Sequence, residues 1–283
     1  MTLCIFNPEH DLCLANGGRN YVPPGSALQF AYSSAHLMQR LYPGAHCTSV
    51  PELSTFNSQL STPQVIPWGW NLALKTALLK AAFPESAMPS DGELQCWREL
   101  QHRGTLLPLQ PDCVAATSEQ EVRDMIARHH AVVLKAPWSG AGRGLRWVTG
   151  AMSAHDVAWL HKMVREQRCV IVEPRRAVTE DFALEYIVGD DGLRFVGYSL
   201  FQTAGGVYRG NELLPDDVIQ HRVRYTDAQR RDLEAWLTAT FVGRYRGPLG
   251  VDMMLAADGT HHLAELNLRH TMGMVAHGAL PIH

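Results

Sequence analysis

The segment LGVDMMLAADGTHHLAELNLRHTMG, residues 249–273, limits the fold more than any other stretch of the chain. Two runs rich in apolar residues flank Ala-Asp-Gly, a turn signal, so a β-hairpin is expected. Side chains two apart on a strand share a face. Glu265, Asn267 and Arg269 would therefore point one way on the second strand, and Asp252 on the first can join them. The apolar flanks predict that these groups are buried. A buried carboxylate is costly unless paired or metal-bound. Asp252, Glu265 and Asn267 are thus a candidate set of hard oxygen ligands, of the kind magnesium takes while completing its shell with phosphate and water. A solvated hairpin face would account for any one of them, but poorly for all three.

A second constraint lies in AVVLKAPWSGAGRGL, residues 131–145. A lysine, Lys135, ends a strand, a glycine loop follows, and LRWVTG returns as another strand. Gly140, Gly142 and Gly144 permit backbone conformations that turn successive N–H groups toward an anion. Lys135 would bring a point charge to the same phosphates, and Ser139 and Arg143 add donors. The competing reading is a flexible hairpin with an incidental lysine. Three familiar nucleotide signatures are excluded. No Lys-Ser or Lys-Thr follows the glycines, as a Walker loop needs. The spacing is G-x-G-x-G between strands rather than G-x-G-x-x-G opening a helix. A protein kinase has its glycine loop before its lysine, the reverse of the order here.

In VIVEPRRAVTEDFALEYIV, residues 170–188, a strand ending in Glu173-Pro174 can offer backbone groups to an adenine edge. Asp181, or Glu180, can hold ribose hydroxyls; an ordinary charged surface turn is the alternative.

The remaining chain reads as mixed helix and strand without repeats. TLCIF is a short buried strand, VPPG a loop, and SALQFAYSSAHLMQRL a helix. Residues 50–67 are expected to be irregular or short strands. NLALKTALLKAAF is a helix capped by Asn71, and DGELQCWRELQHRG a helix stopped by Gly104. Ser118 with Glu121 forms a capping box, SAHDVAWLHKMVREQ is a helix, and Thr226 caps another. Three antiparallel strands are expected between Asp181 and Leu214. The pattern is an α/β front lobe on an α+β body.

Composition narrows the function classes. The chain has 283 residues, 46% apolar and 19% charged, enough for one large unit or two to three small lobes. A net charge of −3 gives no electrostatic case for nucleic acid or an anionic membrane surface. No apolar run approaches the ~20 residues of a membrane helix, and the N-terminus lacks a basic leader. Six scattered cysteines without a C-x-x-C pair suggest free thiols in a reducing cytoplasm.

In order, the lysine and glycine loop, the strand ending in Glu-Pro, and GVDMML…ELNLRHTMG resemble the ATP-grasp family over about residues 105–277. The resemblance implies an ATP-grasp fold with an α/β N-terminal lobe, divided as 1–104, 105–175 and 176–283. It implies ATP- and magnesium-dependent ligation, in which a carboxylate becomes an acylphosphate and an amine attacks it, on a small-molecule or peptide substrate. A homodimer is compatible with it. Lys135 would touch the α/β-phosphates under a mobile loop at 139–144, Glu173 would sit at the adenine hinge, and Asp181 or Glu180 would reach the ribose. Asp252, Glu265 and Asn267 would hold magnesium, and Arg269 would stabilise the transferred phosphoryl or orient the acceptor carboxylate. The chain is short for the family and ends ten residues after Gly273, which suggests a small acceptor or one brought by a partner. Two alternatives are an ATP-grasp kinase without ligation and a non-catalytic nucleotide-binding regulator.

Further candidates are Gln202, Thr203, Tyr208, Arg209 and Asn211 for an acceptor pocket, and Asn7, Glu9, His10 and Asp11 after the first strand. Arg103 is a candidate for the nucleotide. Trp68 and Trp70 read as packing, and the pairs His129-His130 and His261-His262 as surface or satisfied histidines.

Overall fold

The computed structural model describes residues 2–55, 64–140, 144–278 and 280. Gly142 and Arg143 of the glycine loop lie outside the described residues.

The chain begins with β1 (Thr2–Phe6), α1 (His10–Asn16), α2 (Gly25–Ser34), α3 (Met38–Leu41), β2 (His46–Ser49) and β3 (Gln64–Pro67). β1 lies between β2 and β3, and both pairings are parallel. Such a sheet needs cover on both faces. Cys4 and Phe6 point into one apolar cluster with Met38 and Leu41; Leu3 and Ile5 point into another with Leu74 and Leu78. The expected helix over 26–41 is broken: a 3₁₀ segment at Ala35–Leu37 separates α2 from α3. Ser33 donates its hydroxyl to the Phe30 carbonyl beside the break, a competing local bond of the kind serines favour.

α4 (Leu72–Lys80) is capped as expected, with the Asn71 side chain accepting from the Leu74 amide. α5 (Asp91–Leu100) stops short of Gly104, because a 3₁₀ segment takes over from Arg103 to Leu109. Among the described residues, no buried side chain of α5 belongs to either front-lobe cluster. Its Leu94, Trp97 and Leu100 pack into the largest apolar cluster, with the last sheet of the chain.

β4 (Val114–Ala116), α6 (Glu119–His129), β5 (Ala131–Lys135), β6 (Leu145–Thr149), α7 (Ala154–Gln167) and β7 (Val170–Pro174) follow. They make an antiparallel sheet of order β4-β7-β5-β6, with Val122, Met125, Leu160 and Met163 of the helices covering one face. The Ser118–Glu121 capping box is present.

β8 (Val178–Gly189), β9 (Gly192–Ala204), β10 (Val207–Glu212), α8 (Asp216–Val223), α9 (Asp227–Phe241), β11 (Gly247–Ala256), β12 (His261–Asn267) and α10 (Met272–His277) complete the chain. The strands form an antiparallel sheet of order β10-β9-β8-β11-β12. Phe182, Leu184, Tyr186 and Val188 of β8 point into the cluster shared with α5, α8 and α9. The alternate residues Asp181, Ala183 and Glu185 line a cavity on the other face. Residues 205 and 206 turn β9 into β10 with φ of 60° and 76°, the left-handed pair that a two-residue hairpin asks of glycines. α10 returns the C-terminal segment to the front lobe, where Met274 and Val275 share a cluster with Cys4 and Phe6. No described helix is long and apolar enough to cross a membrane.

Candidate functional site

The polar face of the five-stranded sheet looks onto the four-stranded sheet and the front lobe across a cavity of about 810 Å³. Lys135, Ser139, Gly140, Glu173, Asp181, Asp252, Glu265, Asn267 and Arg269 all line it.

The hairpin was expected to bring Asp252 to Glu265, and the register does so directly. Between Asp252 and Met253 the pairing slips by one residue, so that Met253 opposes Leu263 and Ala264 is the extra residue of a β-bulge. Bulges of this kind re-aim groups beside sites. Here Ala264 and Glu265 both line the cavity, and the Ala264 carbonyl accepts from Lys135 Nζ at 3.3 Å. Burial, then the nearby Glu265 and Glu185 carboxylates, push Asp252 up to about 8, against a hydrogen bond from Asn267. Among the described residues no three His, Cys, Asp or Glu side chains converge as a metal-ligand set. The donors available are two carboxylates and one amide. They fit magnesium, which needs few protein oxygens, and a divalent cation would offset both the burial and the neighbouring carboxylates that raise Asp252.

Arg269 corrects one expectation. β12 ends at Asn267, so Arg269 is not a strand residue alternating with Glu265. It reaches the cavity from the bend after the strand and forks onto Asp11 of α1, Nε to Oδ1 at 3.1 Å and Nη2 to Oδ2 at 3.0 Å. Burial alone would raise Asp11, but the Arg269 guanidinium holds it below the usual carboxylate range. Arg269 Nη1 also donates to the His270 carbonyl at 3.0 Å. Among the described residues two of the five guanidinium N–H groups have no partner.

Lys135 is 7% exposed, with Nζ 2.7 Å from Glu173 Oε2. With the Ala264 carbonyl this occupies two of its three donors. The Glu173 side chain is thus committed to Lys135; after it Pro174 carries no N–H and the Arg175 N–H donates to the Ala131 carbonyl at 2.9 Å, so an adenine edge would have to be met by other backbone groups beyond Glu173. Of the two ribose candidates, Asp181 lines the cavity and accepts from Thr203 Oγ1 at 2.6 Å; burial raises its carboxyl. Glu180 faces the other way and pairs with Arg222 at 2.9 Å.

The glycines act through space rather than through unusual dihedrals. Gly140 and Gly144 are not in the left-handed region. A Cβ on Gly140 would sit 2.9 Å from Asp11 Cβ, and one on Gly144 would sit 2.2 Å from Ser139 Oγ. Gly140 therefore packs tightly on Asp11 of the front lobe, and Gly144 on Ser139.

Arg103 has a larger part than a lone arginine after a helix suggests. It is 7% exposed and donates to the Ala136 carbonyl, to Ser139 Oγ at 2.8 Å and to Glu265 Oε1 at 2.7 Å. It ties the glycine loop to the hairpin. Thr203, Tyr208 and Asn211 line the cavity; Gln202 bonds Glu212 instead. Of the residues after β1, Asp11 lines the cavity, whereas Asn7, Glu9 and His10 are buried beneath it. Asn7 exchanges bonds with the backbone of Gly69, and His10 packs so closely under Gly69 that a Cβ there would come within 2.6 Å. Trp68, read as packing alone, also forms part of the cavity wall. Glu185, on the same β8 face as Asp181 and Ala183, was not anticipated.

The sequence matches no protein-family model and no curated protein. Solved structures do resemble the fold. A Staphylococcus aureus N5-carboxyaminoimidazole synthetase complexed with ADP aligns with 95% of this chain and 70% of its own, at TM-score 0.52 and 12% identity. Biotin carboxylase from Campylobacter jejuni, in a β-γ-ATP complex, covers 99% and 72% at TM-score 0.56 and 15% identity. D-alanyl-alanine synthetase A from Vibrio cholerae covers 96% and 90% at TM-score 0.52 and 12% identity. At these identities the likeness is one of fold.

Proposed function

We propose that this chain, which has the ATP-grasp fold, is an ATP- and magnesium-dependent ligase that joins a carboxylate to an amine on a small molecule, an amino acid or a peptide. The observation that carries the reading is the opposed pair Asp252–Glu265 with Asn267, set in one cavity with Lys135 and Arg269. Phosphoryl transfer needs positioning and charge neutralisation more than a covalent nucleophile, and this wall supplies both.

In this reading Asp252, Glu265 and Asn267 hold magnesium, which when bound neutralises phosphate charge. The remaining N–H of Lys135 meets the phosphates, while Glu173 holds the ammonium in place. Ser139 and Gly140 of the loop cover them, with Arg103 anchoring Ser139, whereas Gly144 is buried and does not line the cavity. The backbone after Glu173 meets the adenine, and Asp181 receives the ribose. The free N–H groups of Arg269 stabilise the phosphoryl group in transfer or orient the acceptor carboxylate. The carboxylate oxygen attacks the γ-phosphorus and ADP leaves. The amine nitrogen then attacks the acyl carbon and phosphate leaves. We assign residues 1–104, 105–175 and 176–283 to three lobes, with α5 and α10 packing across them.

The test is ADP release across a panel of carboxylates, with hydroxylamine present to trap an acylphosphate as a hydroxamate. Carboxylate-dependent ADP with hydroxamate supports ligation. A phosphorylated product that hydroxylamine does not intercept points to a kinase, and nucleotide binding without turnover to a regulator.

A further inference from the structure

Six carboxylates line the cavity among the described residues: Asp11, Glu173, Asp181, Glu185, Asp252 and Glu265. Three hold cations of the protein, as Asp11–Arg269, Glu173–Lys135 and Glu265–Arg103. Asp252 belongs to the metal set and Asp181 to the ribose in the reading above. Glu185 has no part in it.

Glu185 is 1% exposed, yet no cation of the chain bonds it among the described residues. Its Oε1 accepts from Ser199 Oγ at 3.0 Å, and the Thr271 hydroxyl lies beside the carboxylate. Among the described residues its Oε2 has no hydrogen-bond partner. The Arg269 guanidinium and the His277 ring, which lie near it, bond elsewhere. Arg269 is forked on Asp11, and His277 Nε2 lies 2.6 Å from the Tyr198 carbonyl. A buried, half-satisfied carboxylate is expensive, so its retention needs a reason.

Two glycines make room for it. Gly250 opposes Glu185 on β11, and a Cβ there would stand 3.1 Å from Oε2. A Cβ on Gly273 would fall 2.0 Å from Oε1. Among the described residues Glu185 does not converge with Asp252 and Glu265 as a three-carboxylate set. What suits an acceptor of this kind is a compact cation with several donors, and a primary ammonium has three. The same cavity has an apolar stretch of wall. Met272, adjacent to Gly273, packs on the cluster of Phe6 and Trp68, and Phe6 meets Phe30 at 5.9 Å and Trp68 at 5.0 Å between ring centroids.

We propose that Glu185 is the anchor for the amine substrate: it binds the ammonium group of a primary amine whose apolar body lies against Phe6, Phe30 and Trp68. This rests on the ligase reading and names the class of its second substrate.

The test titrates the whole protein, loaded with magnesium and AMPPNP, with phenethylamine, isoamylamine, L-phenylalanine, L-leucine and their N-acetyl derivatives. At least one free amine should saturate the protein while its N-acetyl form does not. Glu185→Gln should weaken that amine by about tenfold or more, the loss of a charge-assisted bond. Ser199→Ala, which keeps the carboxylate, should weaken it less. Nucleotide affinity, measured alongside, separates the two ideas. Nucleotide binding with no free amine preferred over its N-acetyl form overturns the anchor and leaves the ligase reading. Equal amine affinity in Glu185→Gln overturns it as well, as does loss of nucleotide affinity in both variants, which would mark a structural role. Absence of nucleotide binding in the unaltered protein removes both ideas.

Discussion

His270 follows Arg269 and pins the site to the front lobe, which makes its acid titration a direct test of the packing. The side chain is 1% exposed. Nδ1 lies 3.1 and 3.2 Å from the carbonyls of Pro67 and Trp68, so it carries the proton; Nε2 lies 2.8 Å from the Tyr42 hydroxyl and accepts from it. A second proton would displace that donor and place a charge in a buried site. Burial accordingly lowers His270 from 6.5 to about 4. A histidine with a depressed folded pKa contributes fully above its unfolded pKa and loses that contribution as pH falls toward the folded one. Linkage between those two values removes about 1.4 kcal/mol by pH ~5.5 and about 2 kcal/mol by pH ~5. Net stability will not show this directly. His10, also lowered to about 4, adds to it, while Glu9, raised to about 7, and Asp252, raised to about 8, oppose it. A difference measurement cancels them. His270→Asn keeps a donor for the carbonyls but does not titrate. Urea unfolding should find it less stable than the unaltered protein at pH ~8, with the deficit narrowing by about 1.4 kcal/mol at pH ~5.5. A deficit that does not change with pH would refute the buried neutral histidine.

Magnesium binding at neutral pH should expel the proton that Asp252 holds up to about 8. Calorimetry in two buffers of different ionisation enthalpy should give about 0.9 proton per metal at pH ~7, and none in Asp252→Asn, which should also lose magnesium-dependent turnover; no release from the unaltered protein would undo the metal assignment. Lys135→Met should weaken nucleotide binding and also strand the buried Glu173, costing about 3–5 kcal/mol. Lys135→Met with Glu173→Gln should regain stability in urea but not nucleotide affinity; regaining both would deny Lys135 its phosphate role. Gly273→Ala places a Cβ 2.0 Å from Glu185 Oε1 and 2.4 Å from Ser199 Oγ, and should cost about 1–3 kcal/mol in thermal unfolding. An unchanged midpoint would mean that Glu185 is not packed there.

What was legible in the sequence was local. The capping signals at Asn71, Ser118 and Thr226 were readable because a side chain three or four residues from its partner leaves a short pattern. The hairpin was readable because a period of two over ten residues specifies faces and register together. α1, α8 and α10 have eight residues or fewer, and β2 and β4 have four or fewer. Elements that short carry too few periods to read, and tertiary packing fixes them. Arg103 and Asp11 escaped a firm assignment for the same reason: their partners, Glu265 and Arg269, lie 162 and 258 residues away.

Glu185 is a different case, because its signal was present. Asp181, Ala183 and Glu185 alternate with Phe182, Leu184 and Tyr186, and the rule that put Glu265 and Asn267 on one face also puts Asp181 and Glu185 on one face. Within FALEYIV, however, one acid among apolar residues reads as easily as a solvent-facing side chain of a half-buried strand. Only the pairing of β8 with β11 resolves it. Val251 and Leu184 then meet in the core, while Gly250, directly opposite Glu185, leaves space on the cavity side instead of a side chain. On the proposal that Glu185 anchors an amine, the glycine facing it across β8 and β11 is the feature that separates it from a carboxylate left to water.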